Sequence, residues 1–217
     1  MSLSKILADK KAINAQNIPA DKWAIMENST NTLKQDSLSR KALQKGQLLP
    51  NFKLPDINEK IVTLNSFEND FIIISFYRGG WCPFCNLELK ALQNILPQLK
   101  ALNTSLIAIS PETPDNSLTT SEKNKLSFNV LSDINNVYAK QLGLVFKMPE
   151  DLRTLYHSFN LNVDVHNGNK EYELPMPATY IINKQREIIY SFVPEDYTER
   201  LDPKNIVDII EKQTTTI

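Results

Sequence analysis

Residues 71–92 read FIIISFYRGGWCPFCNLELKAL, and the pattern changes period halfway along. The first seven are β-branched or aromatic with one serine. A run of that length and type reads as a central strand buried on both faces, as in a sheet covered by helices. Arg78-Gly79-Gly80 stops it. From Cys82 onward the apolar residues fall at Cys85, Leu89, Leu92, Leu96 and Leu99, the alternating four-three spacing of one helical face. Pro97 removes a backbone donor and is expected to bend or shorten that helix.

Further strands and helices alternate around this unit. Residues 105–109 read as a second buried strand, 115–126 as a helix after Pro111 and Pro114, and 128–131 as extended. A short helix over 135–143 is expected to turn Val137, Tyr138 and Leu142 inward. Pro149-Glu150-Asp151 has helix-start composition. Residues 160–174 read as irregular, with a hairpin around Asn167-Gly168. Residues 179–182 and 187–193 read as a hairpin, and 203–212 as a final helix with Ile206, Ile209 and Ile210 inward. On the N-terminal side, 61–64 is extended. Leu3, Ile6, Leu7 and Ile13 make a weak helical stripe, and Ser37 is placed to cap a segment ending at Gly46. The expected fold is α/β, a mixed central sheet between helix layers. The expected division is an N-terminal helical extension over 1–45, a domain over 46–213, and a frayed tail over 214–217.

The chain has 217 residues, 41% apolar and 23% charged, with 24 basic against 25 acidic side chains. That composition suits one domain with additions. The charge balance offers nothing to attract a phosphate backbone, and no apolar run approaches the roughly 20 residues that span a bilayer. No secretory leader is legible at the start. The chemistry-based expectation is a cytoplasmic protein without nucleic-acid or membrane partners.

Cysteine usage narrows the function. The chain has two cysteines, three apart, in the first turn of the helix after the central strand. Residues three apart lie on one helical face, within the α-carbon separation a disulfide needs. A helix N-terminus offers free N–H groups and partial positive charge, which favour a thiolate. Pro83 suits the first helical position, and Arg78 adds charge if it points inward. Two thiols do not build a zinc site, and His157 and His166 lie far off without ligand spacing. The bland alternative, two cysteines used as small hydrophobes, needs a coincidence of spacing and place. By position Cys82 lies nearest solvent and is the attacking thiol, with Cys85 deeper and resolving. His157 and His166 read as surface residues, and Glu88 and Glu173 as solvated, with modulation of a thiol pKa by either acid as the alternative.

FYRGGWCPFCNLELKAL, followed by ISPETPDNSL (109–118), VLSDINNVYAKQLGLVF (130–146), LPMPATYIIN (174–183) and DYTERLDP (196–203), resembles the peroxiredoxin-like branch of the alkyl hydroperoxide reductase/thiol-specific antioxidant (AhpC/TSA) family. The likeness covers roughly 46–210. It implies a thioredoxin-like fold, peroxide reduction by a cysteine thiolate, a thioredoxin-like reductant, no cofactor or metal, and a second copy of the chain as a candidate partner. It implies a cis-proline at Pro177 beside Thr179, facing the cysteines. In the family motif's register Cys85 takes the peroxide-attacking position, Cys82 the place of a threonine, Arg78 that of a proline, and Glu88 matches an acid seen in some relatives. The later arginine of the motif is replaced by Leu-Pro-Met-Pro-Ala at 174–178. The register therefore points to Cys85 and the exposure argument to Cys82, and both stay open.

Three functions compete. The first is a thiol peroxidase using Cys82 and Cys85, with Arg78, Trp81, Pro177, Thr179 and Glu88 in support. The second is a thiol–disulfide oxidoreductase acting on protein disulfides, favoured by the intact Trp-Cys-x-x-Cys. The third is a redox-sensing module that uses the N-terminal arm on a partner.

Overall fold

The structure is a computed structural model that describes residues 1–214. Helices α1 (Leu3–Asn17) and α2 (Ala20–Gln35) come first, then a 3-10 turn at Leu38–Lys41. Strands β1 (Lys53–Pro55) and β2 (Ile61–Thr63) form an antiparallel hairpin. Strand β3 (Phe71–Phe76) leads into α3 (Pro83–Ala101), β4 (Thr104–Ser110), α4 (Pro114–Asn124) and β5 (Asn129–Ser132). Then follow α5 (Val137–Gln141), β6 (Val145–Lys147), α6 (Glu150–Ser158), α7 (Val163–Asn167) and β7 (Glu173–Pro175). Strands β8 (Ala178–Asn183) and β9 (Ile188–Phe192) precede α8 (Pro203–Thr214).

The main sheet has the order β5-β4-β3-β8-β9. Strands β3, β4 and β5 run parallel, and β8 and β9 antiparallel. Parallel strands joined by helical crossovers, with a hairpin on the other side of β3, make the mixed sheet expected from the element order and the thioredoxin-like arrangement that the family resemblance implies. Strand β3 is buried throughout. Its Ile72, Ile74 and Phe76 pack with Tyr138 and Tyr180 on one face. Its Phe71 and Ile73 pack on the other against Leu92, Leu96 and Leu99 of α3 and Ile206 and Ile210 of α8. All five residues of the α3 stripe are buried.

Several local expectations are corrected. Helix α3 continues through Pro97 to Ala101, because a single missing donor is outweighed by the apolar face on either side of it. Val137 is 57% exposed. Asn135 and Asn136 both adopt left-handed backbone, and the Asp133 carboxylate accepts from the N–H groups of Tyr138 and Ala139. This turns Tyr138 and Leu142 inward and Val137 out. Residues 163–167 form α7, ended by Gly168 in left-handed conformation, instead of a hairpin. Ser37 is itself left-handed and makes no side-chain cap, and its 3-10 turn ends at Lys41, before Gly46. Ile13 is half exposed while Leu3 and Leu7 are buried. Thr214 belongs to α8; the rest of the tail expected to fray lies outside the described residues. No helix among the described residues is long and apolar enough to cross a membrane.

Candidate active site

The site grows from the turn between β3 and α3. Cys82 is the N-cap of α3 with extended backbone, and Pro83 occupies the first helical position. Gly80 lies so close to Thr120 that a Cβ there would stand 1.9 Å from its Oγ1. Both polar groups of the Gly80 peptide are held. Its N–H donates to Glu112 Oε2 at 3.0 Å, and its carbonyl accepts from Asn86 Nδ2 at 2.7 Å. Thr120 Oγ1 donates to the same Glu112 oxygen, and Asn124 Nδ2 to Asn86 Oδ1. The ring of bonds from α3 and α4 fixes the turn that presents the first sulfur.

Both cysteines are free thiols and both are buried, Cys82 at 1% and Cys85 at 0% exposure. This corrects the expectation that Cys82 faces solvent. Leu3 and Leu7 of α1 belong to the same apolar cluster, so the N-terminal helix packs on α3 beside the pair.

Two buried guanidinium groups flank the sulfurs. Arg78 points inward, its Nη2 donating to the Tyr156 hydroxyl at 2.8 Å. Its charge sits 4.3 Å from the Tyr197 ring centre and 4.9 Å from that of Trp81, a favourable cation–π geometry. Arg200 lies in the loop before α8. Its Nη2 is 3.2 Å from Cys85 Sγ, its Nη1 donates to the carbonyls of Tyr197 and Glu199, and its Nε forms an ion pair with Glu88. Glu88 is buried and accepts a second bond from Ser75 at 3.2 Å, so its reading as a solvated residue is corrected. Ser75 lies on the β3 face that meets α3, which is why the two touch.

These contacts set the proton affinities. Burial opposes ionisation of Cys82, but hydrogen bonding from Cys85 and the charges of Arg78 and Arg200 outweigh it and lower the thiol to about 6. Burial and the adjoining Cys82 hold the Cys85 proton well above the ordinary thiol range. The arrangement therefore favours deprotonation of Cys82 ahead of Cys85. Burial lifts Glu88 to about 7, against the pull of Arg200.

The remaining candidates fall around this centre. Trp81 stacks edge-on against Tyr156 at 5.7 Å. Pro177 lines a cavity with Arg78, Tyr156 and Tyr197. The cis-proline expectation is not met: no described peptide bond is cis, and Pro177 lies in the two-residue connection between β7 and β8. Thr179 is buried opposite Ser75 in the β3–β8 register. His157 bonds Asn162 and Tyr172 at the surface. His166 reaches Glu112 Oε1 at 3.2 Å, and Glu173 pairs with Lys140; neither touches a sulfur. Among the described residues no cluster suits a metal ion. Arg200 and Tyr197 were not singled out by sequence reasoning. The available signal was their place in DYTERLDP, but spacing alone does not return residue 200 to residue 85.

Paired thiols at a helix start, beside a buried strand and between two arginines, define a thioredoxin-like thiol protein. The chain belongs to the AhpC/TSA family, whose model matches residues 45–191. It is similar to Peroxiredoxin Bcp of Escherichia coli, 28% identical over 102 residues, which are 47% of this chain and 65% of that protein. It is also similar to chloroplastic Peroxiredoxin Q of Populus jackii, 28% identical over 161 residues, 72% of this chain and 65% of that one. The matches thus span just under two thirds of these relatives. Among solved structures, Peroxidoxin BcpB from Mycobacterium tuberculosis superposes with a TM-score of 0.61 at 16% identity, covering 78% of this chain and 97% of that chain. Reduced 2-Cys peroxiredoxin of Plasmodium vivax gives 0.62 at 17%, covering 80% and 83%. At these identities the structures bear on the fold alone.

Proposed function

We propose that the protein is a thiol peroxidase in which Cys82 and Cys85 form the redox couple. The observation that carries this is a pair of buried free thiols at the start of α3, with the Arg200 guanidinium 3.2 Å from Cys85 Sγ and the inward-pointing Arg78 four residues before Cys82. The Cys82 thiolate attacks one oxygen of the peroxide and the O–O bond breaks. Cys82 becomes a sulfenic acid, and the other oxygen leaves as water or an alcohol after taking a proton. The guanidinium groups stabilise the charge that develops on the leaving oxygen. The Cys85 thiol then attacks the sulfenic sulfur, a second water leaves, and a disulfide forms. Two electrons and two protons from a thioredoxin-like dithiol restore the pair. A cytoplasmic setting supplies such reductants.

Burial favours a peroxide over a protein disulfide. Sulfurs 1% and 0% exposed suit a small substrate, and reduction of the disulfide requires local opening of the first turn of α3. One contact favours the opposite assignment of the two roles: Arg200 touches Cys85, the position of attack in the family motif's register. Mass spectrometry after stoichiometric peroxide separates the two. If Cys82 attacks, Cys85→Ser accumulates a sulfenic acid and Cys82→Ser stays unoxidised. The reverse pattern assigns attack to Cys85. A peroxide rate no better than that of a free thiol at the same pH rejects the function.

A further inference from the structure

We infer that Lys11 and Lys34 of the N-terminal extension are positioning residues for Arg200, acting through Asp196, so that the extension is a working part of the thiol site. The inference rests on the reading of the cysteine pair as the reactive group, and its test requires no peroxide.

Asp196 is 4% exposed and divides its two oxygens between two tasks. Oδ1 accepts from the Thr198 N–H at 3.0 Å and the Thr198 hydroxyl at 2.7 Å, closing a turn. Oδ2 receives Lys11 Nζ of α1 at 2.8 Å and Lys34 Nζ of α2 at 3.5 Å. One carboxylate thus ties both helices of the extension to the loop that carries Tyr197 over Arg78 and Arg200 against Cys85. The same loop is fastened on either side. Glu195 accepts from the backbone of Ser39 at 3.1 Å, and Asp202 from that of Ser4 at 3.3 Å. The segment lies between β9 and α8 and belongs to neither a strand nor a helix. No ladder of the sheet holds it; Arg200 fastens it to α3 through Glu88, and the extension supplies the ties on its other side.

The charged and titratable groups facing the sulfurs come from other elements: Arg78 from the turn after β3, Glu88 from α3, Tyr156 from α6, and Tyr197 and Arg200 from the loop. The lysines of the extension do not touch the sulfurs. Their influence passes through the position of Arg200.

Asp196→Asn separates positioning from simple electrostatics, because the two have opposite signs. Removing a negative charge at a distance favours the thiolate and lowers its titration midpoint. Releasing Arg200 from Cys85 raises it, by about one pH unit or more for a lost opposite charge at contact range. The ultraviolet absorbance of the thiolate is titrated in the reduced full chain. The expected result is a raised midpoint in Asp196→Asn and in the Lys11→Gln/Lys34→Gln double variant. Lys11→Arg/Lys34→Arg keeps the wild-type midpoint, as does Lys5→Gln, whose lysine pairs only within α1. A lowered or unchanged midpoint in Asp196→Asn, in protein that still melts cooperatively, overturns the inference. Should Asp196→Asn fail to fold, the double lysine variant is titrated at low salt and in about 1 M salt, where charge effects reach only about 3 Å. A raised midpoint that persists in high salt supports positioning, and one that disappears overturns it. Loss of peroxidase activity in the wild type with the raised midpoint intact would remove the proposed function and leave this inference standing.

Discussion

Replacing Arg200 by glutamine tests the electrostatics of the site most directly. The guanidinium lies 3.2 Å from Cys85 Sγ and is buried together with it. At an effective dielectric of about 20, a unit charge about 4 Å away contributes roughly 4 kcal/mol. Glu88 shares the same cation, so only part of this reaches the sulfurs. An opposite charge at such range lowers a pKa by roughly one to three units. Taking about two, the first deprotonation of the pair moves from about 6 to about 8. At pH 7 the thiolate fraction then falls from about 90% to about 10%, and the rate of alkylation or peroxide consumption falls about tenfold. At pH 9 most of the deficit disappears. The substitution also strands Glu88 without its cation, which is costly for a buried carboxylate. Adding Glu88→Gln should therefore recover stability without restoring the midpoint. The assay is a pH titration of thiolate absorbance paired with the rate at each pH. A midpoint that stays near 6, or a rate deficit that does not shrink as pH rises, refutes the electrostatic role of Arg200.

Other outcomes follow from the same geometry. Gly80→Ala drives a methyl group into Thr120, and overpacking of this kind costs about 1–3 kcal/mol, visible as a lower melting temperature. Glu112→Ala leaves the Gly80 N–H without its acceptor and should cost about 1–3 kcal/mol and slow alkylation of the pair, whereas Glu112→Gln keeps an acceptor and recovers most of both; equal losses in the two variants would discount the bond. Leu89→Ala empties a fully buried position of the α3 stripe and should cost about 2–5 kcal/mol in urea unfolding. Stability of the reduced protein should show a minimum near pH 6–7. The raised Glu88 contributes stability below its ordinary 4.5 that is lost as pH rises through about 7. The depressed Cys82 contributes stability above its ordinary 9 that is lost as pH falls through about 6. Urea unfolding from pH 5 to 9 reads both, and the rise between 6 and 9 should vanish in Cys82→Ser.

Much of this protein is local, and local order is legible from residues alone. The strand at 71–76 announces itself by β-branched density, and α3 by a stripe that keeps its spacing for four turns. The cysteine pair stands out because its three-residue interval and its place at a helix start are both properties of a short segment. Arg78 was legible for the same reason, being four residues from the first thiol. The error at 137 arose where left-handed backbone at Asn135 and Asn136 reset the phase of a helix, and that at 167–168 where a left-handed glycine ends a short helix and not a hairpin turn; apolar periodicity registers neither.

What only the folded chain decided is which distant groups meet. Arg200 is 115 residues from Cys85, and Glu88 changed from a solvated residue to a buried partner because α3 turns it toward Ser75 and that arginine. The N-terminal helices are weakly patterned since their contacts with the domain are partly polar, Lys11 and Lys34 on Asp196 among them. Burial of both cysteines is a property of the assembled elements and was invisible in a segment whose first cysteine sits at an exposed-looking helix cap. Short-range periodicity records which face of an element is apolar; the identity of the charge that stands opposite is set by how the elements pack, and that is a property of the whole chain.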